Sequence, residues 1–210
     1  MWLWHASASL IWVMTGSLFI VKTPTTMPNL YRLQAVGEML AVGALYVATR
    51  DPWLVLSLAI LIGVKWFVVP GILTRSSAFA RTTYGLSAPW GVSSLLIGDL
   101  VLTGLGIAVA HRLFSTDPFT LGVLLASWFI ALWHTVARYE TWSLSWALLS
   151  LDTVSSALIL VLAGRPLPPL IDVLMLTITT ALAGLLALLS ARIFNVKAST
   201  DVRDIKELIG

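Results

Sequence analysis

Stretches of about twenty mostly apolar residues recur along the chain, at about 2–21, 29–48, 53–74, 90–110, 118–137, 143–163 and 168–193. Each is long enough to cross the hydrocarbon core of a bilayer as an α-helix, which takes about 20 residues. The breaks between them are polar: KTPTTMP, RDP, RSSAFARTTYGLSAP, HRLFSTDP, RYET and GRPLPP. Most join a proline to a charge, which stops a helix and suits the headgroup region. The pattern predicts an all-α polytopic membrane protein with about seven transmembrane helices over residues 1–196 and a polar tail at 197–210.

The first stretch, MWLWHASASLIWVMTGSLFIV, has no Lys or Arg before Lys22. A cleaved signal peptide wants a positive n-region, so this segment is read as a retained first helix. In the tail, Ser199 or Thr200 can cap a short helix, and Val202, Ile205, Leu208 and Ile209 fall on one apolar stripe. Such a helix lies on the membrane surface or docks a partner.

Composition fits the pattern. Of 210 residues, 58% are hydrophobic and 11% charged, where a soluble domain carries about 25% charged residues. Ten tryptophans suit the headgroup boundary. The isoelectric point near 9.5 reflects positive charges scattered over loops, which are topology signals and not a nucleic-acid surface. One side of the membrane collects Lys22, Arg32, Arg75, Arg81, Arg138, Arg192, Lys197, Arg203 and Lys206; the other collects Arg50, Arg112 and Arg165. By the positive-inside rule the N-terminus is outside and the C-terminus cytoplasmic.

There are no cysteines, which removes disulfides, iron–sulfur ligation and thiol chemistry from this chain. The histidines His5, His111 and His134 are too far apart in sequence to suggest a metal site. No Gly-rich phosphate loop, GxSxG or HExxH occurs. The chain is therefore not expected to be a catalyst on its own or to hold a cofactor.

Chemistry is expected inside the membrane. Glu38, Lys65, Asp99 and Asp152 fall near the middle of their spans, where an ionised group costs about 2.5–3.5 kcal/mol on insertion scales. Ion pairing for assembly and proton or ion relay are the two reasons to keep them. Gly37 and Gly43 flank Glu38 and permit close approach of another helix. Pro70 frees the carbonyl of Trp66 one turn earlier, an opening for water beside Lys65. Adjacent antiparallel helices would bring Glu38 and Lys65 together, as one step of a proton wire or as a static pair that fixes packing. Asp99 lies among Gly98, Gly104 and Gly106; Asp152 has Thr153, Ser155 and Ser156 close by. Each is a relay group or a helix–helix hydrogen-bonding group. His134, near a span end, is a packed imidazole or a proton-uptake residue. Asp172 and Glu140 are read as solvated end residues.

NLYRLQAVGEML resembles the NL-x4-L-x-G-x-E-(L/M) pattern of NuoK, the small three-helix subunit of respiratory complex I, and of the C subunit of Mrp-type cation/proton antiporters. The match is Asn29, Leu30, Gly37 and Glu38, with small shifts between them, and the NuoK-like part is about residues 1–110. In length and order of features the chain resembles the E components of hydrogenase-4-type complexes. Their third helix carries K-x4-P, as Lys65 and Pro70 do. Their sixth carries an acidic residue in an L-M-E-N-G context, about where Asp152 stands in LSLDT. Their tail is similar to Asp201-Val202-x-x-Ile205-x-x-Leu208-x-Gly210.

The resemblance implies a non-catalytic subunit of a group 4 nickel–iron hydrogenase or complex I-like assembly in a prokaryotic cytoplasmic (inner) membrane. It implies antiporter-like and NuoH-like membrane partners and, indirectly, nickel–iron hydrogenase-like and iron–sulfur subunits. Glu38 would belong to a central hydrophilic axis that moves protons or sodium. The alternatives are a structural scaffold subunit without an ion path, a C-type subunit of a Mrp-like antiporter, or a stand-alone carrier.

Overall fold

The computed structural model describes residues 2–21, 25–76, 91–137, 141–164, 166 and 168–197. These residues are all helical or connecting, with no strand among them. They form seven rods. The first two are α1 (Trp2–Ile20) and α2 (Met27–Thr49). The third runs continuously through α3 (Trp53–Leu61), a π-helical segment (Ile62–Val68) and α4 (Val69–Ser76). The rest are α5 (Val92–Leu113), α6 (Pro118–Ala137), α7 (Thr141–Ala163) and α8 (Pro169–Lys197). The tail helix expected over 198–210 and most of the loop between α4 and α5 lie outside the described residues.

Six of the rods are long and apolar enough to cross a membrane. The seventh, α2, has 23 residues but includes Asn29, Arg32, Gln34 and Glu38, which lower its mean hydropathy. It is also the helix that carries much of the buried polar chemistry.

The RDP and TDP breaks start helices for a local reason. The Asp51 carboxylate accepts the backbone N–H of Trp53 at 3.0 Å, and Asp117 accepts that of Thr120 at 3.3 Å. Each satisfies one of the donors left free in a first helical turn.

In lipid, helices associate through close packing and hydrogen bonds, because hydrocarbon is as apolar as a leucine face. Glycines set the closest approaches. A Cβ on Gly106 of α5 would lie 2.5 Å from the Ala126 nitrogen of α6, and one on Gly122 of α6 would lie 2.9 Å from Ile107 Cα. A Cβ on Gly37 would sit 2.5 Å from Ile11 of α1, and Ser7 Oγ donates to the Gly37 carbonyl at 2.7 Å. Gly37 thus has the packing role its sequence context suggests. Gly43 and Gly104 do not, because each faces open space.

Burial is inverted relative to a soluble protein. Leu100, Ile97 and Val101 of α5 are 73%, 64% and 63% exposed, whereas Lys65 and Glu38 are 1% and 4% exposed. Apolar faces turned outward around a polar interior are what a bilayer selects. One apolar cluster joins α1, α2, α4, α7 and α8 through Leu18, Tyr31, Leu73, Trp146 and Ala183. Another joins α1, α6 and α7 through Ile11, Leu124 and Val154. Helix α1 is therefore interior, between the α5–α6 pair and the remaining rods.

Candidate functional site

Glu38, Lys65 and Asp152 meet at mid-bundle. The Lys65 ammonium stands 2.7 Å from Glu38 Oε2, 3.3 Å from Asp152 Oδ2 and 3.2 Å from Thr153 Oγ1. Thr179 of α8 donates its hydroxyl to Asp152 Oδ2 at 2.9 Å. Four elements thus converge: α2 brings Glu38, the π segment brings Lys65, α7 brings Asp152 and Thr153, and α8 brings Thr179. Tyr31, two turns before Glu38 on α2, is fully buried. Two carboxylates and one ammonium leave one negative charge in excess when all are ionised. Local neutrality calls for one further positive charge, a proton or a cation.

The π segment places Lys65. Its last turn closes with the Val69 N–H bonded to the Val64 carbonyl, five residues back. Pro70 follows with no N–H to give, which leaves a carbonyl of the preceding turn without a helical donor. Arg32 of α2 fills that role, its Nε donating to the Trp66 carbonyl at 3.1 Å while Nη1 donates to Asn29 Oδ1 at 3.1 Å. The opening that sequence reserves for water beside Lys65 is thus occupied, on its Trp66 side, by a guanidinium. A π-bulge of this kind inserts an extra residue per turn and recurs at functional sites.

On one side of the trio is an uncharged network. Gln34 of α2 is fully buried and its amide nitrogen donates to Thr15 Oγ1 of α1 and Ser150 Oγ of α7, both at 2.7 Å. Gln34 lies one turn before Glu38 and Ser150 one turn before Thr153, so both extend the faces that carry the trio. Gln34, Thr15 and Ser150 were not singled out from sequence. The signal was present in the i, i+4 spacing of Gln34 and Glu38.

On the other side is a cavity of about 30 Å³, lined by Glu38, Lys65, Ser156, Asp172, Met175 and Thr179 among others. Asp172 is half-buried and accepts a short hydrogen bond from Ser57 of α3. This corrects its reading as a solvated end residue. Although Asp172 lies in the first turn of α8, packing against α3 turns it inward, on the same stripe as Thr179. Glu140 lies outside the described residues.

Asp99 and His134 are elsewhere. Asp99 Oδ1 lies 4.0 Å from His134 Nε2, between α5 and α6. The His134 ring is buried and stacks on Phe19 of α1, centroids 3.6 Å apart. Asp99 is set toward the Val92 end of α5, off the level of the trio, and lines a 280 Å³ cleft with Gly16, Ser17 and Trp12 of α1. The expected row of four acidic and basic groups is therefore a compact trio plus a separate Asp99–His134 pair, with α1 between them. No group of His, Asp or Glu among the described residues is arranged to hold a metal ion.

Searches against protein families, curated proteins and solved structures find no match to this chain.

Proposed function

We propose that this chain is an ion-translocating membrane subunit of a larger energy-converting complex, with Glu38, Lys65 and Asp152 as its exchange site. The observation that carries the reading is the trio itself: three ionisable groups from three rods, with two carboxylates within 3.3 Å of one ammonium, at a depth where unpaired charge is costly. The resemblance to hydrogenase-4 component E and NuoK names the class of complex: a membrane-bound hydrogenase or complex I-like oxidoreductase in a prokaryotic inner membrane, moving protons or sodium. Antiporter-like and NuoH-like subunits are its proposed neighbours. In this reading α2 is a seventh span, stabilised by bundle contacts where its own hydropathy falls short. The N-terminus is outside and the C-terminus cytoplasmic. Asp99 and His134 would serve a separate step on the cytoplasmic half.

One observation favours a second reading, a scaffold subunit. Lys65 donates to Glu38 and Thr153 and lies 3.3 Å from Asp152 Oδ2. A closely paired ion cluster can serve registry alone.

The two readings separate in the natively assembled complex purified with its partners. Glu38→Gln, which leaves Lys65 and Asp152 as a balanced pair, should leave the complex assembled and its redox activity present while ion translocation per electron falls at least tenfold. Loss of assembly with normal coupling in what remains would establish the scaffold instead.

A further inference from the structure

We propose that the cavity beside the trio is a water-filled half-channel leading from Glu38 and Lys65 to the outer membrane face, with Asp172 as its outermost carboxylate and the Ser57–Asp172 hydrogen bond as its closure. The proposal rests on the reading of the trio as an exchange site, and it adds the side from which that site is reached.

The cavity volume, about 30 Å³, exceeds the roughly 10–15 Å³ that one water requires, and a buried water needs two to four polar partners. Glu38, Lys65, Ser156, Thr179 and Asp172 all line it. From the trio the polar positions continue toward one end of the bundle: Thr179 to Asp172 along α8, Lys65 to Ser57 along the third rod, and Asp152 to Ser156 along α7, with Ser57 reaching the cavity through its bond to Asp172. Ser57 and Asp172 both lie near the ends of their rods, at the bundle end where α2 finishes, α3 begins, α7 finishes and α8 begins. That end carries Arg50 and is the outer one in the proposed orientation.

The opposite side of the trio is closed. Gln34, Thr15 and Ser150 are each fully buried and tied together by 2.7 Å hydrogen bonds. The site is thus asymmetric, with a hydrogen-bonded plug below and, above, a cavity whose polar groups are set among Val42, Leu61, Leu160 and Leu176. A proton released by a trio carboxylate would pass through cavity water to the Asp172 carboxylate and then to bulk water. Breaking the Ser57 bond would free Asp172 to make that last exchange.

The absence of native cysteine makes each single-cysteine variant uniquely reactive. Ser156→Cys and Met175→Cys would be made in the full chain within sealed membrane vesicles of each orientation. Silver ion, small and waterborne, would be added from one face at a time. Free thiol would then be counted with a maleimide after denaturation. Both thiols should be blocked from the outer face and spared from the inner one, with Ser150→Cys, in the plug, spared from both. Adding Ser57→Ala should raise the blocking rate about fivefold, the factor that corresponds to a hydrogen bond of about 1 kcal/mol. Protection of both cavity thiols from silver at the outer face, or equal blocking from the two faces, would overturn the half-channel.

The fate of the exchange-site reading is read separately, from ion translocation in Glu38→Gln. Normal translocation there, with one-sided thiol blocking, sinks the exchange site and leaves a blind aqueous cavity. Impaired translocation with no blocking sinks the half-channel alone.

Discussion

Lys65 shows how a single buried charge is made tolerable. Its ammonium is 1% exposed, and it meets oxygens from two other helices, Glu38 of α2 and Asp152 and Thr153 of α7. Removing it alone strands two carboxylates in a low-dielectric interior. Lys65→Met should therefore destabilise the chain by about 3–5 kcal/mol, the usual cost of leaving one partner of a buried pair uncompensated. Combining it with Glu38→Gln and Asp152→Asn should recover most of that loss, because neutral amides need no counter-charge. Denaturant titration of the purified chain in lipid nanodiscs reads both. A single variant as stable as the parent would show that the trio is not held by charge pairing. Of the charged members of this site, Glu38, Lys65 and Asp152 were legible in sequence because ionisable residues at mid-span have few bland explanations. Asp172 was not, because a carboxylate near a helix end is ordinarily solvated. Only the packing of α8 on α3 turns it inward.

At the scale of the element, the third rod is the least expected. The apolar run at about 53–74, with Lys65-x4-Pro70 inside it, reads as one helix opened at the Trp66 carbonyl. The π segment between Ile62 and Val68 and the Arg32 bond to the Trp66 carbonyl both answer the missing proline donor. The answering residue lies on another helix, so the sequence around Pro70 carries no sign of it. The α5–α6 pair makes the complementary point for glycine. Gly98, Gly104 and Gly106 look alike in sequence, yet only a Cβ on Gly106 would meet the backbone of α6, at 2.5 Å. Gly106→Ala should cost about 1–3 kcal/mol, as overpacking does in a tight interior. Gly104→Ala should stay within about 0.5 kcal/mol, as changes away from a packed contact do. Equal stability of the two variants in nanodiscs would disprove the close-packing role of Gly106.

For the molecule as a whole, orientation is the claim that ties the parts together, since it assigns the cavity to the outside and the Asp99–His134 pair to the inside. It rests on the charge bias, with Lys22, Arg32, Arg75, Arg81, Arg138, Arg192, Lys197, Arg203 and Lys206 opposed only by Arg50, Arg112 and Arg165. Each alternation of side depends on α2 crossing the bilayer. A fluorescent protein fused after Gly210 should light up in cells, and a short epitope before Met1 should be reached from outside. Both termini on the same side would mean six spans, with α2 lying elsewhere than across the membrane.

The helical class, the limits of most rods and the presence of ionisable residues midway along apolar helices were legible along the chain, because bilayer thickness imposes a length and forbids unpaired backbone polar groups. Helix breakers such as Arg50-Asp51-Pro52 act within a few residues, so they too are local. Which charges meet was decided in three dimensions. Spacing makes Asp99 look like a fourth member of the row, and it is the packing of α5 on α6 that places it 4.0 Å from His134. The same holds for Gln34, Thr15 and Ser150, three ordinary polar residues that become a hydrogen-bonded group only when α1, α2 and α7 pack. Sequence spacing specifies the face of a helix but not the neighbour that the face meets. In this protein the neighbour decides which buried charges meet and which stand apart.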